Sequence, residues 1–141
     1  MQPQILKTAD SLVLPFNEVA EIIDREVHAR SREQINLLAR EYDIKNPLEV
    51  ARFLTQNKSL IDLLGEIPPQ IRYYFGAEQK LNLLFFLDPE DPTAHSLHIR
   101  IPTKLESKAA RQLLNQFNEK WWDEREINAN FKVFINVDFL K

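Results

Sequence analysis

The chain has 141 residues, 44% of them hydrophobic and 28% charged, and this ordinary globular composition excludes a largely disordered protein. Two glycines are too few for a Gly-rich phosphate loop or a dinucleotide fingerprint, and the lack of cysteine excludes disulfides, thiolate metal sites and a cysteine nucleophile. The net charge is −3 and no segment is strongly basic, so we expect no nucleic-acid partner.

The length suits a single domain spanning 1–141. Its apolar runs are much shorter than the roughly 20 residues that a membrane span requires, and the N-terminus lacks the pattern of a signal peptide. We therefore expect a cytoplasmic protein with no membrane partner. Within the domain, the residue pattern predicts an extended arm over 1–14, a helical part over 15–76 and a β-β-α-β part over 77–141.

The helical part is predicted to contain several helices in series. Apolar residues at spacings of three and four predict a long first helix, roughly 16–41. Asn46 followed by Pro47 is typical of a second helix start. Ser59 predicts a short helix that ends at Gly65, and Pro68-Pro69 predicts the start of another over 70–75.

The pattern changes to the two-residue period of strands after Gly76. Alternation predicts strands over 81–87, 96–101 and 131–140, and the acidic, proline-containing turn between the first two indicates a hairpin. A strong amphipathic pattern predicts a helix over 103–125, with Thr103 and Glu106 at the spacing of a capping box.

This element order predicts an α+β fold with a three-stranded antiparallel sheet. The first strand is apolar on both faces, which favours a central position and the order 2-1-3. The 103–125 helix can cover only one face of that sheet. We expect the other face to be covered by the N-terminal helices, by a protein partner or by a second copy of the chain in a homodimer.

Polar residues from two predicted strands share one face of the sheet and form the candidate ligand site: His98, Arg100, Asn136 and Asp138. An Arg–Asp pair could hold a carboxylate-bearing ligand and a nearby histidine could act as a base, but the same residues suit a solvated surface with cross-strand polar pairs. No nucleophile completes a catalytic site, so we predict no catalytic residues.

Metal and cofactor sites are not predicted. His95 and His98 have the H-x-x-H spacing, but on a strand that spacing sends the two rings to opposite faces. The carboxylates of 88–91 lack the glycine and distal glutamate of an EF-type calcium loop, and Asp-Pro sequences form turns without a metal.

Four residues are candidates for an interface because they are large, apolar and predicted at the edge of the buried stripe or on the uncovered face: Phe86, Trp122, Phe134 and Leu140. Trp121 is predicted to continue the buried stripe of the 103–125 helix, and Trp122 to lie beside it, either as an interface anchor or as a lid over the end of the sheet.

Three segments together resemble a family of short uncharacterised prokaryotic proteins: Phe53-Leu54-Thr55-Gln56-Asn57 continuing to Ile71-Arg72-Tyr73-Tyr74-Phe75-Gly76, Phe117-Asn118-Glu119-Lys120-Trp121-Trp122, and Ile135-Asn136-Val137-Asp138-Phe139. The resemblance covers about residues 48–141. It implies a shared scaffold and assigns no activity, cofactor or site residue.

Two functions are therefore compatible with the sequence. The first is a non-enzymatic interaction or adaptor protein, indicated by surplus apolar and aromatic surface. The alternative is a small-molecule-binding domain or weak enzyme that uses the polar face around Arg100, Asn136 and Asp138. A pocket among those residues favours the second function, and a flat apolar patch favours the first.

Overall fold

The computed structural model describes residues 32–141. The expected arm over 1–14 and residues 16–31 of the expected first helix lie outside the described residues. Residues 32–38 are helical, and this helix ends at 38 rather than at 41. The described elements that follow are, in chain order, β1 (Asp43–Ile44), α1 (Pro47–Gln56), α2 (Ser59–Phe75), β2 (Asn82–Leu87), β3 (His95–Thr103), α3 (Ser107–Phe117), a π-helical segment (Asn118–Trp122), α4 (Asp123–Glu126) and β4 (Val133–Phe139).

The α+β class is confirmed, but the predicted antiparallel 2-1-3 sheet is wrong. The sheet is mixed, with four strands in the order β1-β2-β3-β4. β2 and β3 form the expected antiparallel hairpin, whereas β3 and β4 are parallel and β1 is parallel to β2. β2 is paired on both sides, but its neighbours are the two-residue β1 and β3. β4 pairs with β3 and not with β2.

The physical reason lies in the connection between β3 and β4. A helix as long as α3 returns the chain to the end of the sheet where β3 began, so the next strand runs parallel to β3. The second apolar face of β2 also gives a misleading signal, because Leu84 and Phe86 on that face are only partly buried.

One face of the sheet carries the core. Leu83, Ile99 and Ile135 are partners across three strands, and Leu83 and Ile99 are completely buried. The helices pack on this side, where the ring of Phe53 in α1 meets that of Phe85 edge-on at 5.9 Å. At about 1.5–3 kcal/mol for each large side chain removed from water, this layer is the main stabilising contribution. We call it the covered face.

Helix α2 runs through the positions where the sequence predicts a break. It continues past Gly65, Pro68 and Pro69 as one helix of 17 residues. Pro68 has no N–H to donate to the carbonyl of Leu64 one turn earlier. The buried hydroxyl of Tyr42 donates to that carbonyl at 2.7 Å, so the lost helical bond is replaced from outside the helix. Burial raises the pKa of Tyr42 well above its usual value, which keeps the hydroxyl protonated as a donor.

The predicted 103–125 helix begins later than expected and changes its winding. Thr103 ends β3, and its Oγ1 accepts a bond from the Leu105 N–H, so no capping box forms and α3 starts at Ser107. The π-helical segment then inserts one extra residue per turn. The buried stripe therefore ends in Trp122, which is 3% exposed, and Trp121 is only partly buried. The sequence assigned these two tryptophans the opposite way round, because an α-helical period was assumed throughout.

Candidate ligand-binding groove

The opposite face of the sheet forms the floor of a groove with a volume of about 870 Å³. We call this side the open face. The lining also includes residues of the hairpin loop, of the stretch that follows α3 and, from the covered side, Ile135 and Val137 of β4. The residues that line the groove include Phe86, Asp88, His98, Arg100, Asn118, Trp122, Asp123, Glu126, Phe131, Phe134, Ile135, Asn136, Val137 and Asp138.

Three aromatic rings from three neighbouring strands form a row across the open face. The ring of His98 stacks on Phe86 with centroids 4.6 Å apart, and it lies 5.4 Å from the centroid of Phe134 on the other side. Phe134 is still 45% exposed. We call these residues the aromatic row. Burial lowers the pKa of His98 below its usual value, and the positive charge of Arg100 lowers it further, so the ring is neutral near pH 7.

All four predicted polar residues line the groove. Arg100 and Asn136 are direct partners in the register of β3 and β4, His98 is the partner of Phe134, and Asp138 is the partner of Pro102. The side-chain oxygen of Asn136 accepts from the Val137 N–H at 2.9 Å. Within residues 32–141 no ion pair joins Arg100 and Asp138, although both line the groove.

The charged lining of the groove is mainly acidic. Asp88, Asp123, Glu126 and Asp138 line it together with one guanidinium, that of Arg100. None of the four carboxylates forms an ion pair with another described residue. Asn118 also lines the groove, and its Oδ1 is buried without a hydrogen-bond partner among the described residues.

The hairpin loop, where carboxylates cluster in the sequence, is a set of turns. Asp88 Oδ1 accepts from the Glu90 N–H, and Asp91 Oδ1 accepts from both the N–H and the hydroxyl of Thr93. These bonds lower the pKa of Asp91. His95 contacts the Pro92 carbonyl at 2.9 Å. Among the residues that the structure describes, no three His, Asp or Glu side chains are grouped to hold a metal ion.

The predicted interface residues have different positions. Phe86 and Phe134 belong to the aromatic row, and Leu140 is 47% exposed just beyond β4. Trp122 is not an exposed anchor, since its ring is buried against Phe117 at 6.5 Å. Trp121 is instead the partly exposed ring, and the guanidinium of Arg125 lies 4.5 Å above it.

Several lining residues carried no recognisable signal in the sequence. Asp123 and Glu126 belong to a charged run that is typical of a solvated helix end, and Asn118 has no distinctive pattern around it, because nothing in the sequence predicts the π-helical segment. Phe131 has a φ of 55°, a left-handed conformation rare for an aromatic residue and costing of order 1–3 kcal/mol, and its ring is 58% exposed. The preceding Asn130, also left-handed, is the one local hint, because asparagine tolerates that conformation.

Comparison with protein-family models, with curated proteins and with solved structures finds no match for this chain. In the part of the chain that the structure covers, no helix has the length and apolar character needed to cross a membrane. The geometry of the groove is therefore the basis for proposing a function.

Proposed function

We propose that this chain is a non-enzymatic interaction or adaptor protein that binds a segment of a partner protein in the groove of the open face. The observation that carries the proposal is the aromatic row, Phe86–His98–Phe134, which stands partly exposed on the floor of a groove of about 870 Å³.

The aromatic row suits binding because its rings are held on adjacent strands of a sheet. Their arrangement requires little ordering when a partner arrives, so less of the binding free energy is lost to entropy. Covering a half-exposed phenylalanine removes a large apolar area from water at about 25 cal/mol per Å². Aromatic anchors surrounded by polar groups are typical of the centres of protein interfaces.

A small-molecule site is the second candidate, and the observation in its favour is Arg100 beside Asn136 on the groove floor. A guanidinium would bind a carboxylate or a phosphate. The four carboxylates in the same lining oppose an anionic ligand, and for this reason a protein segment is the preferred occupant. A thermal-shift series with small carboxylates and phosphates, on the wild type and on Arg100→Gln, tests this second candidate.

The experiment for the protein-binding function is selection from a random-peptide phage library. Phe134→Ser removes one ring of the aromatic row, and Tyr73→Ser is the matched control, because Tyr73 is 80% exposed on α2 and does not line the groove. We expect enriched peptides that bind the wild type and Tyr73→Ser equally, and Phe134→Ser at least tenfold more weakly. Failure to enrich any peptide, or equal binding to all three proteins, contradicts the proposal.

A further inference from the structure

We infer, on the basis of the proposed function, that the groove binds an extended lysine- or arginine-rich segment of another protein, which pairs as an added strand with the outer edge of β4. Two observations support this inference: β4 has no neighbouring strand on its outer side in the described part of the chain, and the charged lining of the groove is mainly acidic. The acidic lining favours a basic segment over a second copy of the chain or residues 1–31.

The outer edge of β2, on the side away from β3, is covered by the two-residue β1. The N–H of Asp43 donates to the carbonyl of Leu81, just before β2, at 2.8 Å, and the N–H of Lys45 donates to the carbonyl of Leu83 at 2.9 Å. Beyond them the side chain of Asn46 acts as a substitute peptide group, since its oxygen accepts from the Phe85 N–H and its amide donates to the Phe85 carbonyl. Exposed strand edges invite pairing with other chains, and here the edge is blocked by the chain itself.

The second edge, at β4, has no strand beyond it in the described part of the chain. The carbonyl of Lys132 and the N–H of Leu140 bond to β3, and in a parallel ladder the bonding residues alternate. The odd-numbered residues of β4 therefore turn their backbone N–H and C=O groups away from β3. Two of them, Ile135 and Val137, line the groove, so the free edge forms part of its surface.

One backbone N–H on this edge already donates a hydrogen bond, and a partner's carbonyl can replace its acceptor. The Val137 N–H bonds to the side chain of the preceding residue, Asn136, at 2.9 Å. A partner carbonyl can take this donor while the amide of Asn136 turns to the solvent. The strand has seven residues, so an added strand of the same length extends about 23 Å. Alternate side chains of that added strand lie on the open face.

The charge of the groove selects a basic segment. Asp123 and Glu126, which we call the acidic wall, line the same groove as Ile135 and Val137 of β4, and Asp88 and Asp138 add two further carboxylates. Lysine and arginine side chains offer only donors, and their cations also bind favourably over exposed aromatic faces such as that of Phe134.

The same charges oppose the other occupants. A second copy would bring an identical acidic groove to this edge, and like charges placed together across an interface cost binding energy. Residues 1–31 of the chain itself contain three basic and five acidic side chains, so they do not supply a net positive charge. A basic segment of a different protein is opposite in charge to the lining of the groove.

The probe is a fluorescein-labelled peptide of alternating lysine and valine, 7 residues long to match β4. Its controls are a twin with glutamate for lysine and two twins with N-methyl groups on either the lysines or the valines. Fluorescence anisotropy is measured with the full-length protein at low and at physiological salt. We expect binding of the parent peptide that weakens with salt, no detectable binding of the glutamate twin, and at least tenfold weaker binding of one N-methylated twin, because an added strand pairs through alternate residues.

The matched protein variants lie on the same helical stretch. Asp123→Asn with Glu126→Gln neutralises the wall, and Glu119→Gln with Glu124→Gln removes the same charge outside the groove lining. We expect at least tenfold weaker binding for the first pair and less than a twofold change for the second. Melting curves of both variants check that the fold is retained.

The outcomes separate this inference from the proposed function. Equal binding of the glutamate twin, or of both N-methylated twins, overturns the basic-strand inference. Phage selection that instead yields acidic or helical peptides dependent on Phe134 overturns it too, while the protein-binding function stands. If sedimentation shows a dimer that dissociates when β4 is blocked by Val137→Pro, the edge belongs to a second copy and the inference is wrong.

Discussion

The two faces of the sheet are built from the same strands and have opposite properties. On the covered face, Leu97 and Ile99 of β3 are completely buried beneath the helices. On the open face, the residues between and beyond them are the half-buried His98 and the exposed Arg100. Because successive side chains of a strand point to opposite faces, each strand contributes alternate residues to stability and to the groove.

This difference teaches that the stability of the protein and the part of the groove formed by the open face are largely separable. Side chains on the covered face contact the helices, so truncating them leaves cavities in a packed interior. Side chains on the open face contact one another and the solvent, so their removal costs little folding free energy. Four changes test or sharpen this contrast.

The largest effect is expected from Trp122, which lies in the helical layer over the covered face. Trp122→Ala removes a ring that is 3% exposed, and we expect the free energy of unfolding to fall by about 3–5 kcal/mol. Trp121→Ala is the matched control; its ring is partly exposed, so we expect a loss of about 1–2 kcal/mol. Urea denaturation of both variants measures the difference. Equal losses would show that the π-helical segment does not set which tryptophan is buried.

The second test uses adjacent residues of β3. Ile99→Ala leaves a cavity on the covered face and should cost about 3 kcal/mol, within the range for buried Ile-to-Ala changes. His98→Ala on the open face should cost less than about 1 kcal/mol, typical of substitutions outside a packed core. Urea midpoints at constant slope give both values. A larger loss for His98→Ala would break the proposed separation between the two faces.

A smaller effect is expected from Tyr42, which supports the covering layer through one hydrogen bond. Tyr42→Phe keeps the ring and leaves the Leu64 carbonyl without the donor that Pro68 cannot supply, and we expect a loss of about 1–2 kcal/mol. Replacing Pro68 by alanine in the same protein restores a helical N–H for that carbonyl. We therefore expect the cost of Tyr42→Phe to shrink in the Pro68→Ala background, and thermal melts of the four proteins measure the coupling. Additive effects would show that Tyr42 does not compensate for Pro68.

The covered face could be read from the sequence because alternation in three segments already separates its residues from those of the open face. The same alternation places His98, Arg100, Asn136 and Asp138 together, and all four line the groove. The order of the strands could not be read in this way, because the apolar character of Leu84 and Phe86 suggests a central strand although both are only partly buried. Periodicity shows which side chains of a strand point to each face of the sheet. It does not show which strands are neighbours.

The acidic wall of the groove could not be predicted from the sequence, for a different reason. The π-helical segment moves Trp122 into the core and changes the direction in which Asp123 and Glu126 face, and no composition signal marks that extra residue. Pro68 and Pro69 were wrongly interpreted as a helix start, and both lie inside α2. The hydrogen bond that Pro68 cannot make to Leu64 is replaced by one from Tyr42, which is distant in sequence. Both errors arise where tertiary contacts decide local structure.

The smallest effect concerns the pH dependence of the open face, through His98. The pKa of His98 in the folded protein is lowered by burial in the aromatic row and by Arg100, whereas in the unfolded chain it is near the usual value of about 6.5. Between these two values the unfolded chain binds more protons than the folded protein, so the free energy of unfolding rises with pH in that window. His98 therefore reduces stability as the pH falls below about 6.5 and has no such effect above it.

The measurement is a comparison of urea unfolding for the wild type, His98→Phe and Arg100→Gln at a series of pH values from about 5 to 8. His98→Phe removes the titrating ring and retains an aromatic side chain between Phe86 and Phe134, so the wild type should lose stability relative to this variant as the pH is lowered. Arg100→Gln removes the smaller of the two causes and should leave a weaker pH dependence. Parallel stability curves for the wild type and His98→Phe would mean that the imidazole is solvated as freely in the folded protein as in the unfolded chain. The row would then be open to water between its rings, and a partner could not gain the apolar contact that the groove is proposed to provide.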